Sequence, residues 1–416
     1  MTHPIQQLLR LIPLLLWFIL GSCTKDASVD VVGFPSGGKL AQTIPMQKEH
    51  IQLLDGIYTV IVGSDQLGKI VVVKASGNTL SFFTGKNAGL FVLHYGRIDS
   101  TLIFEGYWRY TQGTETGLAR FEIAPDAGGT ALLLGTTPSS SLTIKGMVGD
   151  GSSDPSTPII LQFSHGLKEA SFAIIAHRGG GRNSDRLPES ENSLGIIELA
   201  EGFGANGIEI DVRLSRDGVP ILFHDENFSP RLVNSEYCIG LVSNYSFAEI
   251  RTLCRLKNGE SVPTLKEALD VVLNKTTLSL VWLDCKSPSV LAIAASLQNE
   301  YKQKALAQGR SLTILLGLST DDLVTEFTAQ HLSTTADALC ELSLNDVRNT
   351  NARVWAPRWT LGPLPTEALQ MKAEGRRTFV WTLDQREFIL PFLQDGKIDG
   401  ILSNYPALVA YEYYVF

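Results

Sequence analysis

The chain has no Cys-x-x-Cys pair, no clustered run of lysine and arginine, and no apolar stretch long enough to cross a bilayer comfortably. Each absence argues against a class of function. The lack of a Cys-x-x-Cys pair argues against a thiolate zinc site. With 35 basic against 43 acidic residues, a net charge of −8 argues against nonspecific binding to nucleic acid as well. The apolar run from Leu11 to Leu20, preceded by Arg10, has export-signal composition and is too short for a comfortable span. Charge is sparse, at 19% of 416 residues against 44% hydrophobic, which fits globular domains and gives enough chain for two.

What the chain does have is concentrated between Ile174 and Asp225: IIAHRGG, ENS at 191–193, GIEIDV at 207–212 and PILFHD at 220–225. Side chains alternate faces along a strand, so Glu209 and Asp211 project to one side while Ile208, Ile210 and Val212 project to the other. Two carboxylates that close repel each other unless one holds a proton or a cation sits between them. Oxygen-only donors favour a hard ion, Ca²⁺ or Mg²⁺. His177 closes an apolar run from Phe172 to Ala176, and His224 closes another from Val219 to Phe223; Arg178 and Asp225 follow them. Two near-neutral titrating groups at strand ends suit proton transfer in both directions, and the arginine offers a planar fork to a phosphate oxygen. Taken singly, each of these residues is more often a hydrogen-bonded or solvated bystander. Together, on strands with continuously apolar flanks, the charges need a function or a partner.

The segment resembles the catalytic half of the glycerophosphodiester phosphodiesterase family, whose pattern runs HRG, a PEN-[ST] segment, E-[IL]-D-V and HD. The likeness continues through LVWLDCK at 280–286, where the family carries a third acidic ligand and a lysine, then FVWTLD (379–384) and DGILSNYP (399–406). It covers roughly Phe172 to the C-terminus and implies a (β/α)₈ TIM barrel. It also implies metal ligation by Glu209, Asp211 and Asp284, phosphate neutralisation by Arg178 and Lys286, and acid–base catalysis by His177 and His224. The implied reaction is hydrolysis of a small-molecule glycerophosphodiester to an alcohol and glycerol phosphate with Ca²⁺ or Mg²⁺. A neighbouring glycerol hydroxyl would attack phosphorus first, and water would open the cyclic phosphate. The alternatives are a phospholipid head-group phosphodiesterase, and a noncatalytic surface binding protein on the same scaffold, against which both histidines count.

Two departures from the family pattern stand out. GGGRNSDRLPES lengthens the first loop before Glu191, and Asp284 stands where the family has Glu. Arg182, Asp185 and Arg186 in that loop either contact a charged head group or belong to a solvated, glycine-rich surface. A shorter carboxylate at 284 keeps the ligand chemistry while altering metal affinity.

Eight candidate barrel strands recur at helix-like intervals: FAIIAHR, GIEIDV, PILFHD, LSLVWLDCK, LTILLGL, ARVWAPRW, TFVWTL and DGILSN. DALCELS at 337–343 competes with ARVWAPRW for the sixth position. The first helix is expected around Ser193 to Phe203, capped by Asn192 or Ser193. Trp381 either lines the pocket or packs in the core. Upstream, His50 to Phe163 reads as seven short β-rich runs from GIYTVIVG to TALLLG, with LTIKGMVG and IILQFS as further candidates. That spacing indicates a small all-β sandwich or barrel. His94, Tyr95, Tyr107, Trp108, Arg109 and Tyr110 form an aromatic binding surface or, more often for such residues, ordinary strand packing. GDGSSDPSTP at 149–158 reads as the connection between domains.

The resulting plan is a signal peptide over 1–22, a lipidated N-terminus and linker over 23–49, an all-β domain over 50–165 and a barrel over 166–416. Leu20-Gly21-Ser22-Cys23 resembles the bacterial lipoprotein signal. That implies lipidation of Cys23, a membrane anchor, and an exported cell-envelope protein on the periplasmic or outer surface. Ser28 to Pro45 is expected to be a flexible spacer. Cys238 and Cys254, in the insertion after the expected third strand, either pair in an oxidising compartment or stay free.

Overall fold

The computed structural model describes residues 32–34, 37–168 and 171–416. The expectations for the signal segment, Cys23 and the start of the spacer lie outside these residues. No helix among the described residues is long and apolar enough to cross a membrane.

The first half is a closed barrel of eight antiparallel strands. They are β1 (Gly56–Val62), β2 (Ile70–Ser76), β3 (Thr79–Thr84), β4 (Gly89–Ile98), β5 (Thr101–Tyr110), β6 (Thr116–Ile123), β7 (Thr143–Val148) and β8 (Thr157–Gly166). Closure through the β1–β8 pairing leaves no open edge. One face of each strand fills the lumen with Tyr58, Val71, Val73, Phe82, Phe91, Phe104 and Phe121, and the Phe82 and Phe121 rings meet edge-on at 5.0 Å. Residues 94, 95, 107, 108, 109 and 110 do not form one aromatic surface: Trp108 joins the lumen while Tyr107 packs toward the second half.

Two expectations fail here. TALLLG is not a strand; Gly129–Leu133 is a helical turn entered from Gly128 at φ 107°. Ala and Leu favour helix, and only Thr130 is β-branched. GDGSSDPSTP is not the interdomain connection but the turn between β7 and β8, whose pairing runs on both sides of it. Gly, Pro, Asp and Ser mark a hairpin turn and a linker equally well. LTIKGMVG and IILQFS supply the two closing strands.

The second half is a parallel barrel of β9 (Ala173–Ala176), β10 (Gly207–Leu214), β14 (Leu280–Cys285), β15 (Thr313–Leu318), β16 (Ala338–Cys340), β17 (Val354–Trp355), β18 (Arg377–Val380) and β19 (Gly400–Ser403). The β19–β9 pairing closes the ring. PILFHD is not a barrel strand. It forms β11 (Pro220–Leu222), which runs antiparallel to the overhanging end of β10, with Val212 opposite Leu222. The segment is apolar because β11 is covered on both sides, so composition alone could not separate it from a barrel strand. The vacancy is filled because DALCELS and ARVWAPRW each give a strand, β16 and β17. Asp284 therefore lies on the third barrel strand rather than the fourth.

An insertion from 225 to 262 carries β12 (Asn227–Phe228), β13 (Gly240–Leu241) and a small core around Phe228 and Leu256 that also takes in Phe223. Cys238 and Cys254 are disulfide-bonded inside it, Cα to Cα 5.5 Å.

The two barrels share one apolar core. Outward-facing Phe83, Leu90 and Val92 of the first pack with Ala410 and Tyr411 on the helix Pro406–Val415 of the second. The approach is close enough that a Cβ on Gly204, at φ +96°, would sit 2.9 Å from both Ala410 Cβ and the Phe83 ring. Only glycine meets both conditions at 204.

Candidate active site

Strand alternation builds the site. Inside the parallel barrel, Ile175, Leu280, Trp282, Leu339, Phe379 and Leu402 form the buried layer. Continuing each strand by two residues on the same face toward its C-terminal end gives His177, Asp284, Glu341, Trp381 and Asn404. Glu209 and Asp211 follow the same parity on β10, where Asp211 pairs in register with Asp284. Cys285 faces the other way and is buried in the outer core.

Glu209, Asp211 and Asp284 each offer one oxygen, all within 4.8 Å of one another. Glu209 Oε2 accepts the Arg178 backbone N–H at 2.8 Å, whereas Oε1 is buried with no hydrogen-bond partner among the described residues. Burial, then the charges of Asp211 and Asp284, push the Glu209 carboxyl well above the ordinary range. Asp211 goes the other way: burial opposes ionisation, but Lys286, His224 and Arg178 hold it below the usual range. Lys286 Nζ lies 2.6 Å from Asp211 Oδ1 and 2.5 Å from Asp284 Oδ2. Although burial disfavours its charge, these carboxylates raise its pKa. An oxygen-only donor set, buried at Glu209 and Asp211 and half-buried at Asp284, with one orphan carboxylate oxygen, fits a hard divalent cation.

The histidines are supported differently. His177 Nδ1 lies 2.7 Å from Asn404 Oδ1, while Asn404 Nδ2 donates to Asp384 Oδ2 at 2.6 Å. That network orients the amide and places the imidazole proton on Nδ1. Burial, then Arg178, lowers the His177 pKa to about 4, so the ring is neutral. Its Nε2 is 3.7 Å from Glu209 Oε2. His224 reaches the same mouth from the opposite direction, at the end of β11, and its Nδ1 is 2.7 Å from Asp225 Oδ1.

Arg178 is buried in a left-handed turn at φ 53°, and its Nη1 donates to Glu191 Oε1 at 2.6 Å. Its Nε has no partner among the described residues. Asn192, rather than capping the helix Leu194–Leu199, donates from Nδ2 to Asp211 Oδ2 at 2.7 Å; Ser193 Oγ takes the cap. The lengthened loop is not a solvated surface. Asp185 is buried, accepts from Arg182 Nη2 at 2.9 Å and from Tyr405 Oη at 3.0 Å, and so engages the loop's own arginine. Trp381 is half-buried beside the barrel core and donates from Nε1 to the Ala356 carbonyl at 2.9 Å.

Sequence reasoning gave Asn192 only a capping role and assigned none to Glu191, Asp225, Arg231, Asp384 or Asn404. All but Arg231 sit inside the quoted motifs, so the signal was present. Arg231 was not foreseeable: it comes from the insertion and contacts Asp225 Oδ1 at 2.6 Å and Glu191 Oε1 at 3.3 Å.

A parallel barrel with ionisable groups gathered at the C-terminal strand ends has the architecture of a barrel enzyme, and histidines beside clustered carboxylates and a lysine are groups that phosphodiester chemistry can use. The family model for the glycerophosphoryl diester phosphodiesterase family matches residues 177–408. A glycerophosphodiester phosphodiesterase of Caldanaerobacter subterraneus subsp. tengcongensis is 29% identical over 246 residues, spanning 56% of this chain and 94% of its own. Glycerophosphodiester phosphodiesterase 1 of Mus musculus is 34% identical over 139 residues, 32% of this chain and 38% of its own. A solved glycerophosphodiester phosphodiesterase from Parabacteroides distasonis is 22% identical, with TM-score 0.48, covering 60% of this chain and 99% of its own. The chain belongs to the glycerophosphoryl diester phosphodiesterase family and is a phosphoric diester hydrolase. Strands β1–β8 lie outside the matched residues.

Proposed function

We propose that the chain hydrolyses glycerophosphodiesters with Glu209, Asp211 and Asp284 holding a divalent cation, Ca²⁺ or Mg²⁺, while His177 and His224 move protons. The observation that carries the cation is the buried, unpartnered Glu209 Oε1 within the three-carboxylate group. When bound, the ion would polarise a phosphoryl oxygen and offset charge developing there. Lys286 beside two of the carboxylates, and Arg178 with its free Nε, supply positive charge for the phosphate. His177, with Nδ1–H directed at Asn404, presents the Nε2 lone pair as base toward the attacking hydroxyl. His224, backed by Asp225, returns a proton to the leaving oxygen.

The test is turnover of glycerophosphocholine by the metal-depleted protein and after adding Ca²⁺ or Mg²⁺. Activity that appears only with the ion supports the assignment; full turnover by depleted protein overturns the metal role, and inertness with every ion overturns the substrate. We also propose export and lipid anchoring through Cys23. The Cys238–Cys254 disulfide supports an oxidising compartment. Palmitate labelling that persists in Cys23→Ser would refute the anchor.

A further inference from the structure

Arg109 sits near the end of β5 in the antiparallel barrel, 3% exposed, yet its guanidinium reaches into the catalytic half. Nη1 donates to the Arg186 carbonyl and Nη2 to the Asp185 carbonyl, both at 2.9 Å. The acceptors are two consecutive main-chain carbonyls, so the rigid fork fixes two adjacent peptide planes. A buried cation on neutral partners is a poor source of stability, so the gain is geometric.

Those carbonyls lie within the lengthened loop. Arg186 holds a left-handed φ of 55°, a conformation a non-glycine residue keeps only where its surroundings over-determine it. From there hydrogen bonds joined by short covalent links of the loop lead into the site. Asp185 Oδ2 accepts the Arg182 N–H at 2.7 Å; the Asn183 N–H donates to Glu191 Oε2, and the Glu191 N–H donates to Asn183 Oδ1, both at 2.9 Å. Glu191 then anchors the Arg178 guanidinium, and the Asn192 N–H donates to the Arg178 carbonyl at 2.9 Å.

We propose that Arg109 is a positioning residue of the hydrolase site: the antiparallel barrel braces the 180–191 loop so that Glu191 and Asn192 hold Arg178 and Asp211 in place. This rests on the phosphate and metal roles assigned above. The loop is longer than the family pattern requires, and the brace comes from strands outside the family match, so the extra barrel and the extra loop form one device.

The experiment compares full-length wild type with Arg109→Ala, Arg109→Lys and Ser81→Ala, well below melting. Ser81 Oγ donates to the Gly202 carbonyl at 2.7 Å across the same barrel interface but away from the loop. Arg109→Ala should accelerate amide exchange over residues 182–192 and lower kcat/KM for glycerophosphocholine roughly 10- to 100-fold, the scale expected when reacting groups shift by about 1 Å. Arg109→Lys keeps the charge without the fork and should restore part of both; Ser81→Ala should change neither. If Arg109→Ala fails to fold, Arg109→Lys against wild type carries the same comparison with a smaller change. Unchanged exchange, unchanged kcat/KM, or equal losses in Ser81→Ala would each overturn the brace. Exchange is read without substrate, so a wild-type chain inert toward glycerophosphocholine defeats the functional assignment while the loop measurement still decides the brace.

Discussion

Asn192 does three things with one side chain and one backbone. At φ 61° it occupies a left-handed position that asparagine tolerates better than most residues, its N–H bonds the Arg178 carbonyl, and its amide both donates to Asp211 Oδ2 and accepts the Asp211 N–H at 3.0 Å. Asn192→Gly keeps that backbone while deleting both side-chain bonds. We predict a loss of about 10- to 100-fold in metal affinity or kcat/KM, the usual scale for a residue that orients a ligand. Isothermal titration with Ca²⁺ and Mg²⁺ checks it, and wild-type affinity would mean that Asp211 is oriented without Asn192. For proton transfer, we predict that His224→Ala lowers kcat by about 10²- to 10⁴-fold with an unchanged circular dichroism spectrum. Asp225→Asn, which keeps a hydrogen-bonding partner for Nδ1, should lose less. Equal activity in His224→Ala and wild type would remove His224 from the reaction.

Alternation along strands explains why most of the site was legible: two residues beyond Ile175 and Trp282 on the inward face are His177 and Asp284. Glu209 and Asp211 were visible for the same reason. The motif led to His224 on a barrel strand, whereas it follows an antiparallel overhang, because a covered overhang has the same apolar composition as a buried barrel strand. Strands as short as β16 and β17 leave too few residues to show a period, which is why 337–343 and 352–359 looked like rivals rather than neighbours. The contacts of Arg231 with Glu191 and of Arg109 with Asp185 were illegible because they join residues distant in sequence and depend on how separate elements dock. The insertion carrying Arg231 is closed by a disulfide across 16 positions, a loop length for which chain entropy suggests stabilisation of about 3 kcal/mol. We predict that Cys238→Ser with Cys254→Ser makes residues 227–262 sensitive to limited proteolysis and lowers kcat/KM, while the parallel barrel resists cleavage. Proteolysis identical to wild type would show that the small core around Phe228 and Leu256 holds the insertion unaided.

At the scale of the whole molecule, the continuous apolar core between barrels makes independent melting unfavourable: excising either half would expose Phe83, Leu90, Val92 and the helix they cover. Calorimetry should therefore show one transition for the described body, and two well-separated transitions would refute that coupling. Coupling also lets one half-buried acid, just before β1, influence the stability of both. Asp55 Oδ1 accepts the Ala75 N–H at 2.6 Å, and burial raises its pKa from 3.8 to about 6 despite that bond and the nearby Lys74. Because folding raises this pKa, the protonated carboxyl favours the folded state. Its contribution is complete below about pH 4, falls as pH rises through about 6, and is gone above, a change of about 3 kcal/mol at 1.36 kcal/mol per pKa unit. We predict that wild type loses stability relative to Asp55→Asn between pH 4 and pH 7, and that the whole transition shifts rather than a fraction of it. Other groups titrate in the same window, so the difference between the two proteins is the quantity to read from thermal melts at matched ionic strength. A difference that stays constant from pH 4 to pH 7 would show that Asp55 ionises in the fold as freely as in the unfolded chain.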